Sequence, residues 1–373
     1  MSLLQSLKPS AFRNLVSGRR RGAWAALLRG GLRVAEVPYT WAVRWRNHRY
    51  ATGAAAVYRV GATVLSVGNL TLGGTGKTPM VEWLARWFAD RQISVAVVSR
   101  GYGAPKKGGT PLNDEARELA WRLPGVPQVQ DPDRVAAARR AIDEFHCRLV
   151  LLDDGFQHRR IARDLDIVLV DALEPLGFGH VFPRGTLREP PDGLGRADIV
   201  ALSRADVLAP DQRAEIRRQV RRHAPRAQWL ELAHAPRGLV ALGPPKLGGR
   251  ARPLNEVRPL SVGPLDALAG QRVLAFCGIG NPAGFRHTLA ACNCQVAEFL
   301  EFPDHHAYTA GDLDRLSAAA QRVDAAALVC TEKDLVKLAV DRLGERPLWA
   351  VRIGLEILAG REALEARLAA LPL

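Results

Sequence analysis

The chain has no apolar run approaching the ~18–20 residues that a membrane-spanning helix requires, and no continuous apolar leader with a cleavage site, so neither a spanning segment nor a signal peptide is expected. Cysteine is scarce: five scattered thiols in 373 residues exclude a disulfide framework and suit a reducing compartment. Cys292 and Cys294 lie close together, but no second pair completes a zinc site. Acid is also in short supply. Asp and Glu number 38 against 52 Lys and Arg, giving a formal net charge of +14. Such a balance suits nucleic acid, an anionic membrane or an acidic substrate. No DNA- or RNA-binding motif accompanies the charge, so nucleic acid is not expected as a partner. Internal repeats and low-complexity tracts are absent too. What remains is an ordinary globular composition, 47% hydrophobic and 24% charged, long enough for two domains.

The positive charge is concentrated at the start. The first fifty residues hold ten Lys or Arg and one acid, Glu36. Trp24, Leu27, Leu28, Trp41 and Trp45 are interleaved at helical spacing. That pattern suits a helix lying on an anionic membrane surface. A basic helical cap packed on the core is the alternative.

The most specific stretch is Thr63-Val64-Leu65-Ser66-Val67-Gly68-Asn69-Leu70-Thr71-Leu72-Gly73-Gly74-Thr75-Gly76-Lys77-Thr78. An apolar strand enters a Gly-rich turn, which opens a helix from Pro79 to about Ala89. Glycines let the loop's N–H groups point inward at phosphate oxygens, and the helix N-terminus favours the same anion. Residues Asn69 to Thr78 are therefore the expected nucleotide loop, with Lys77 on the β- and γ-phosphates and the Thr78 hydroxyl on Mg²⁺. The strict pattern has Gly six residues before the Lys, where this chain has Thr71. A second element supports the first. Arg148-Leu149-Val150-Leu151-Leu152-Asp153-Asp154 reads as a buried parallel strand ending in carboxylates, where a P-loop protein holds its metal. A solvated Asp-Asp turn is the plainer alternative.

Further strands are expected at 94–99, 166–171 and 198–202, with helices at 114–123, 133–144 and 211–223. Strands alternating with helices predict an α/β fold: a P-loop NTPase-like, doubly wound, mostly parallel sheet. The Gly- and Pro-rich segment 172–196 reads as an ordered functional loop. Residues 228–264 change texture and read as a linker with short extended runs. A second, smaller α/β domain then carries strands at 272–277, 295–301 and 326–330 and a helix at 283–291. Gly278-Ile279-Gly280 lacks the third Gly of a dinucleotide fingerprint. Ser203-Arg204-Ala205-Asp206 reads as a strand-to-helix turn rather than a guanine-reading box, since it lacks the Asn-Lys pair. The expected division is a basic segment at 1–60, a kinase-like domain at 61–235, a smaller domain at 236–350 and a closing helix within 351–373 that packs back on the core.

Several motifs together resemble the tetraacyldisaccharide 4′-kinase (lipid A 4′-kinase) family of Gram-negative bacteria. They are the Gly-rich loop above, Ser99-Arg100-Gly101-Tyr102-Gly103, Asp153-Asp154-Gly155-Phe156-Gln157-His158 and Phe182-Pro183-Arg184-Gly185-Thr186-Leu187-Arg188-Glu189-Pro190. Gly278-Ile279-Gly280-Asn281-Pro282, Asp304-His305-His306 and Thr331-Glu332-Lys333-Asp334 follow in the family's order. The resemblance implies transfer of the ATP γ-phosphoryl group to the 4′-hydroxyl of a lipid A disaccharide precursor during lipopolysaccharide synthesis. It implies a peripheral protein at the cytoplasmic face of the inner membrane, with ATP and Mg²⁺ as cofactors. A P-loop GTPase or metallochaperone is the rival reading.

The resemblance also implies roles. Asp153, Asp154 and Glu189 would surround Mg²⁺ directly or through water. Gln157 and His158 would orient nucleotide or acceptor. Arg100, Arg134 and Arg188 are candidates for a substrate phosphate, because a guanidinium fork matches phosphate oxygens. Asp114, in Asn113-Asp114-Glu115-Ala116, would accept the hydroxyl proton, oriented by His305 or His306.

Overall fold

The computed structural model describes residues 9–101, 113–242, 259–304, 306–338 and 340–373. The chain forms two compact units: residues 1–113, 125–233 and 355–373 make the first, and 114–124 with 234–354 the second.

The first unit is built on a parallel sheet. Its strands are β1 (Thr63–Asn69), β2 (Val95–Ser99), β3 (Gln128–Gln130), β4 (Leu149–Asp153), β5 (Leu165–Asp171) and β6 (Ile199–Ser203). They lie in the order β6-β5-β1-β4-β2-β3, and each neighbouring pair is parallel. All residues of β1, β4, β5 and β6 are buried. That explains their near-continuous apolar sequences, since both faces of a parallel sheet are covered. Central β1 pairs Val67 with Asp153 of β4 and Asn69 with Leu169 of β5. The strand ends that carry chemistry are thereby brought to one edge of the sheet. The helix Lys77–Ala89 buries Met80, Val81, Leu84 and Phe88 completely, each contributing roughly 1.5–3 kcal/mol. The helix Arg134–Phe145 starts at Asp133, whose carboxylate accepts from Val135 N–H at 3.0 Å. The closing helix Arg361–Ala369 buries Leu364 and Leu368, and Arg367 reaches Asp198 at 3.3 Å.

Two amino-terminal helices, Pro9–Val16 and Ala23–Ala51, belong to this unit. The longer one buries only Ala25, Glu36 and Val43. Glu36, the lone acid of the basic segment, accepts from Val181 N–H at 2.8 Å and pairs with Arg33 at 3.2 Å. Tyr39 packs edge-on against Phe182 and donates to the Arg188 carbonyl at 3.1 Å. The helix is therefore bolted to the 172–196 segment, which makes a left-handed turn through Leu176, Gly177 and Phe178 and a short 3₁₀ turn at Pro191–Arg196.

In the second unit, β9 (Arg272–Cys277), β10 (Gln295–Glu301), β11 (Ala327–Thr331) and β13 (Arg346–Ala359) form a parallel set in the order β10-β9-β11-β13. The short β12 (Arg342–Leu343) pairs antiparallel with β13. Helices run over Asp114–Arg122, Pro282–Ala290, Ala310–Arg322 and Glu332–Leu338. The expected linker at 228–264 is in part regular structure. Residues Gln228–Leu242 form one strand, β7, whose end pairs antiparallel with β8 (Pro259–Gly263). Pro236 and Gly238 disguised it. Both fall outside the registers with β6 (228–231) and β8 (239–242), between the two pairings.

Candidate phosphate and metal site

The site belongs to the first unit and is assembled at the carboxyl ends of β1 and β4. After Asn69 the loop 70–76 turns back, and Gly76 adopts φ 84° before the helix begins at Lys77. That left-handed conformation suits glycine and aims the first helical N–H groups into the loop. The loop is fixed from the outside. Leu72 N–H donates to the Thr186 carbonyl and Arg188 N–H to the Leu70 carbonyl, both at 2.7 Å. Arg204 donates to the Gly74 carbonyl at 3.1 Å while ion-paired with Asp171 at the end of β5. The Ser203–Asp206 segment is thus a turn that braces the phosphate loop. Asn69 Nδ2 donates to the Thr71 carbonyl at 2.9 Å and the Gly73 carbonyl at 3.4 Å.

Lys77 Nζ lies 3.4 Å from Asp154 Oδ1 and 3.5 Å from Asn69 Oδ1. Arg188 donates to both Asp154 oxygens, at 2.9 and 2.7 Å. Two cations therefore converge on one carboxylate. Burial alone would raise the Asp154 pKa, but Lys77 and Arg188 hold it well below the usual carboxylate range. Asp154 has φ 54°, a costly conformation for a non-glycine residue. The following Gly155-Phe156 turn is pressed against β1: a Cβ on Gly68 would fall 2.5 Å from Phe156 Cβ. Asp153 is 95% buried at the end of β4.

Gln157 donates to the Asn69 carbonyl at 2.9 Å and to Glu189 at 3.1 Å. Glu189 was expected near the metal. Here it is fully buried, and both oxygens are engaged. Arg196 contacts each at 3.0 Å, and Asn47 of the amino-terminal helix donates at 2.8 Å. It acts as the hub that ties the basic helix to the site. Asn47, Arg196, Arg204 and Asp171 are site-supporting residues that sequence reasoning missed. Only Asp171, a carboxylate ending a strand beside β1, carried a readable signal.

Arg134, 4% exposed, lies in electrostatic reach of Asp154, Asp153 and Arg100. Burial lowers the Arg134 pKa, Asp154 opposes that, and Arg100 adds to it. Arg100 itself is exposed, just past β2. Burial first, and the Arg134 charge next, push the His158 imidazole down to about 4, so it is neutral at pH 7. His158 Nε2 and Thr75 Oγ1 are buried without a hydrogen-bond partner. Such orphaned atoms cost ~1–3 kcal/mol each, a cost that a polar ligand offsets.

The donor chemistry fits Mg²⁺. Asp153, Asp154 and the Thr78 hydroxyl are hard oxygen donors beside the loop. No group of three or more His, Cys, Asp or Glu side chains suited to a metal occurs among the described residues. Mg²⁺ commonly takes one or two carboxylates and completes its shell with water and phosphate oxygens.

The candidates for the proton acceptor and its partner belong to the second unit. Asp114 is the first residue of the helix Asp114–Arg122, and its side chain lies outside the described residues. His305, Tyr102 and Gly103 also lie outside them. His305 or His306 was expected to orient Asp114. The His306 Nε2 lies 3.0 Å from Asp312, which accepts from Thr309 N–H at the start of the helix Ala310–Arg322, and its ring stacks on Phe302 at 4.9 Å.

Comparison with known proteins agrees over nearly the whole chain. A family model described as tetraacyldisaccharide-1-P 4′-kinase matches residues 28–372. The tetraacyldisaccharide 4′-kinase of Anaeromyxobacter dehalogenans strain 2CP-C is 41% identical over 366 residues, covering 94% of this chain and 92% of that one. Its counterpart in Desulfatibacillum aliphaticivorans is 40% identical over 339 residues, covering 87% and 88%. Among solved structures, the LpxK of Aquifex aeolicus in complex with ATP matches with a TM-score of 0.68 at 26% identity, over 92% of this chain and 98% of that one. With the Gly-rich loop, the paired carboxylates and the Arg188-Glu189 segment all assembled as described, this chain belongs to the tetraacyldisaccharide-1-P 4′-kinase family.

Proposed function

We propose that this chain transfers the γ-phosphoryl group of ATP to the 4′-hydroxyl of a tetraacylated glucosamine disaccharide 1-phosphate, giving lipid IV-A in lipid A synthesis. The observation that carries the reading is the convergence of Lys77 and Arg188 on Asp154 beside the glycine loop. Phosphoryl transfer requires cations aimed where charge gathers on the equatorial oxygens. Lys77, with the loop N–H groups from Gly73 to Thr78, would hold the β- and γ-phosphates. Arg188 would exchange its carboxylate partner for a phosphate oxygen. Arg134 and Arg100 extend the positive wall towards the acceptor. Neutral His158 and Gln157 supply hydrogen bonds without further charge. Asp153, Asp154 and Thr78 would hold Mg²⁺, which when bound would offset the charge of the phosphates. Glu189 supports these residues through Gln157.

Asp114 is the proposed acceptor of the hydroxyl proton, with the Asp304-His305-His306 segment orienting it. A sugar hydroxyl is a weak nucleophile, and a positioned carboxylate is the usual acceptor in kinases. The GTPase or metallochaperone alternative is not retained. Family membership speaks against it, and Arg204, in the segment where a base-reading box would lie, is occupied with Asp171 and Gly74.

The acceptor is an amphiphile, so the enzyme must work where that amphiphile resides. Trp24, Leu27, Val34, Trp41 and Trp45 are all more than half exposed along the helix Ala23–Ala51. They recur at helical spacing, among arginines. No helix among the described residues is long and apolar enough to cross a membrane. This supports a helix lying in the interface of the inner membrane, on the cytoplasmic side where ATP is available. Incubation with ATP, Mg²⁺ and the disaccharide acceptor in detergent micelles tests the function. A product one phosphate heavier, bearing it at the 4′ position, supports the reading. ATP hydrolysis without acceptor phosphorylation overturns it.

A further inference from the structure

In the second unit, each charged residue of Thr331-Glu332-Lys333-Asp334 has a separate partner. Glu332, 98% buried, pairs with Arg122 near the end of the helix Asp114–Arg122 and with Arg352 of β13 at 3.0 Å. Asp334, fully buried, accepts from Gly278 N–H at 3.1 Å, Tyr308 at 3.1 Å and Thr331 at 2.7 Å. Lys333 reaches in two directions. Its Nζ lies 3.4 Å from Glu115 Oε1 and 3.7 Å from Asp304 Oδ1, while its side chain is only 14% exposed. Glu115 is the residue after Asp114, and Asp304 follows β10 and stands two positions before His306.

We propose that Lys333 is a positioning residue for phosphoryl transfer: a buried cation that ties the start of the Asp114 helix to the Asp304 turn. The inference rests on the reading of Asp114 as the proton acceptor. Two segments far apart in sequence must hold a constant separation if a group from each acts on one proton. The ion pair of Arg122 with Glu332 fixes the far end of the helix, and Lys333 fixes the near end. The cation also has an electrostatic effect. Glu115 and Glu118 face it from the helix and Asp304 from the turn. Glu332 lies beside it in sequence, already matched by Arg122 and Arg352. Burial alone would lower the Lys333 pKa, yet these carboxylates raise it, so the amine stays charged. A fixed positive charge held against Glu115, the residue after Asp114, favours the carboxylate form that a proton acceptor needs.

The test is steady-state kinetics of the full chain with ATP and the lipid acceptor across pH, for Lys333→Met, Lys333→Arg and Asp114→Ala. Lys333→Met is expected to lower kcat roughly 10- to 100-fold, the order expected of a small misplacement of a reacting group. The KM for ATP should stay within about twofold, because Lys333 is no part of the phosphate loop. The acid limb of the kcat profile should move to higher pH, since removing the cation raises the acceptor's pKa. Lys333→Arg should recover most of the rate. Lys333→Met should add little to the loss in Asp114→Ala if the two act as a unit. Should Lys333→Met fail to fold, Glu115→Gln severs one end of the bridge. It should lower kcat with ATP KM unchanged, and a wild-type kcat there overturns the proposal. An inactive Asp114→Ala beside a folded Lys333→Met with wild-type kcat and pH profile overturns the role of Lys333 alone. An Asp114→Ala variant with undiminished kcat overturns the proton-acceptor reading itself.

Discussion

Replacing Arg196 by Ala removes the cation that contacts Glu189 directly, leaving Arg159 only in electrostatic reach of it. Glu189 is fully buried, and Arg196 contacts both of its oxygens at 3.0 Å. Without Arg196 the carboxylate keeps only Asn47 at 2.8 Å and Gln157 at 3.1 Å, two neutral amides. Stranding a buried charge typically costs 3–5 kcal/mol. The Arg196 side chain is 21% exposed, so water can partly replace it and the figure falls towards the low end. Its guanidinium also sits 4.4 Å from the centre of the Phe156 ring, a contact of about 0.5–2 kcal/mol. The expected loss is therefore about 3 kcal/mol, read by urea denaturation with tryptophan fluorescence as the probe. Arg196→Ala combined with Glu189→Gln should recover part of that loss, because no charge is left stranded. A loss below about 1 kcal/mol in Arg196→Ala, or no recovery in the double variant, would refute the view of Glu189 as a buried structural hub.

Three further outcomes are expected. Asp334→Ala leaves Gly278 N–H, the Tyr308 and Thr331 hydroxyls and Lys337 without their shared carboxylate, so it should destabilise the protein by roughly 3–5 kcal/mol in denaturant melts. His158 has a folded pKa lowered to about 4 by burial and then by Arg134. Its contribution to stability is full above the unfolded value near 6.5 and is lost as pH falls towards about 4, at no more than ~1.4 kcal/mol per pH unit. Urea midpoints of His158→Gln should therefore fall less than those of wild type between pH 7.5 and 5. Charge reversal at Arg19, Arg20 and Arg21 should weaken co-sedimentation with anionic vesicles and turnover of the lipid acceptor while sparing nucleotide binding. Unchanged sedimentation would leave the segment as a basic cap.

The first unit was legible because parallel strands buried on both faces read as apolar runs, and glycines and carboxylates at their ends mark the chemistry. Thr71 did not obscure the loop, since the strand before it and the helix after it carry the same signal. The supports of the site were not legible. Glu36 looks like an isolated surface acid in a basic helix, yet it accepts from Val181. Asn47, Glu189 and Arg196 meet across up to 149 positions of chain, and no periodicity encodes such a contact. The second unit hid more. Ala310–Arg322, Glu332–Leu338 and Arg346–Ala359 had no expected element, and Lys333 meets Glu115 across 218 positions. The contact between His306 and Asp312, six positions on, was not legible either, because adjacent histidines in the sequence do not show which neighbour each will meet.

The central claim is that Lys77 and the paired carboxylates of Asp153-Asp154 serve one phosphoryl-transfer site. The most direct measurement is single-turnover transfer from γ-labelled ATP to the disaccharide acceptor by wild type and Lys77→Ala, with ATP and Mg²⁺ saturating. Lys77→Ala should slow label transfer by roughly 10²- to 10³-fold, as removal of an oriented electrostatic donor does, with an unchanged far-ultraviolet spectrum. Label transfer at the wild-type rate in a folded Lys77→Ala enzyme would contradict the account.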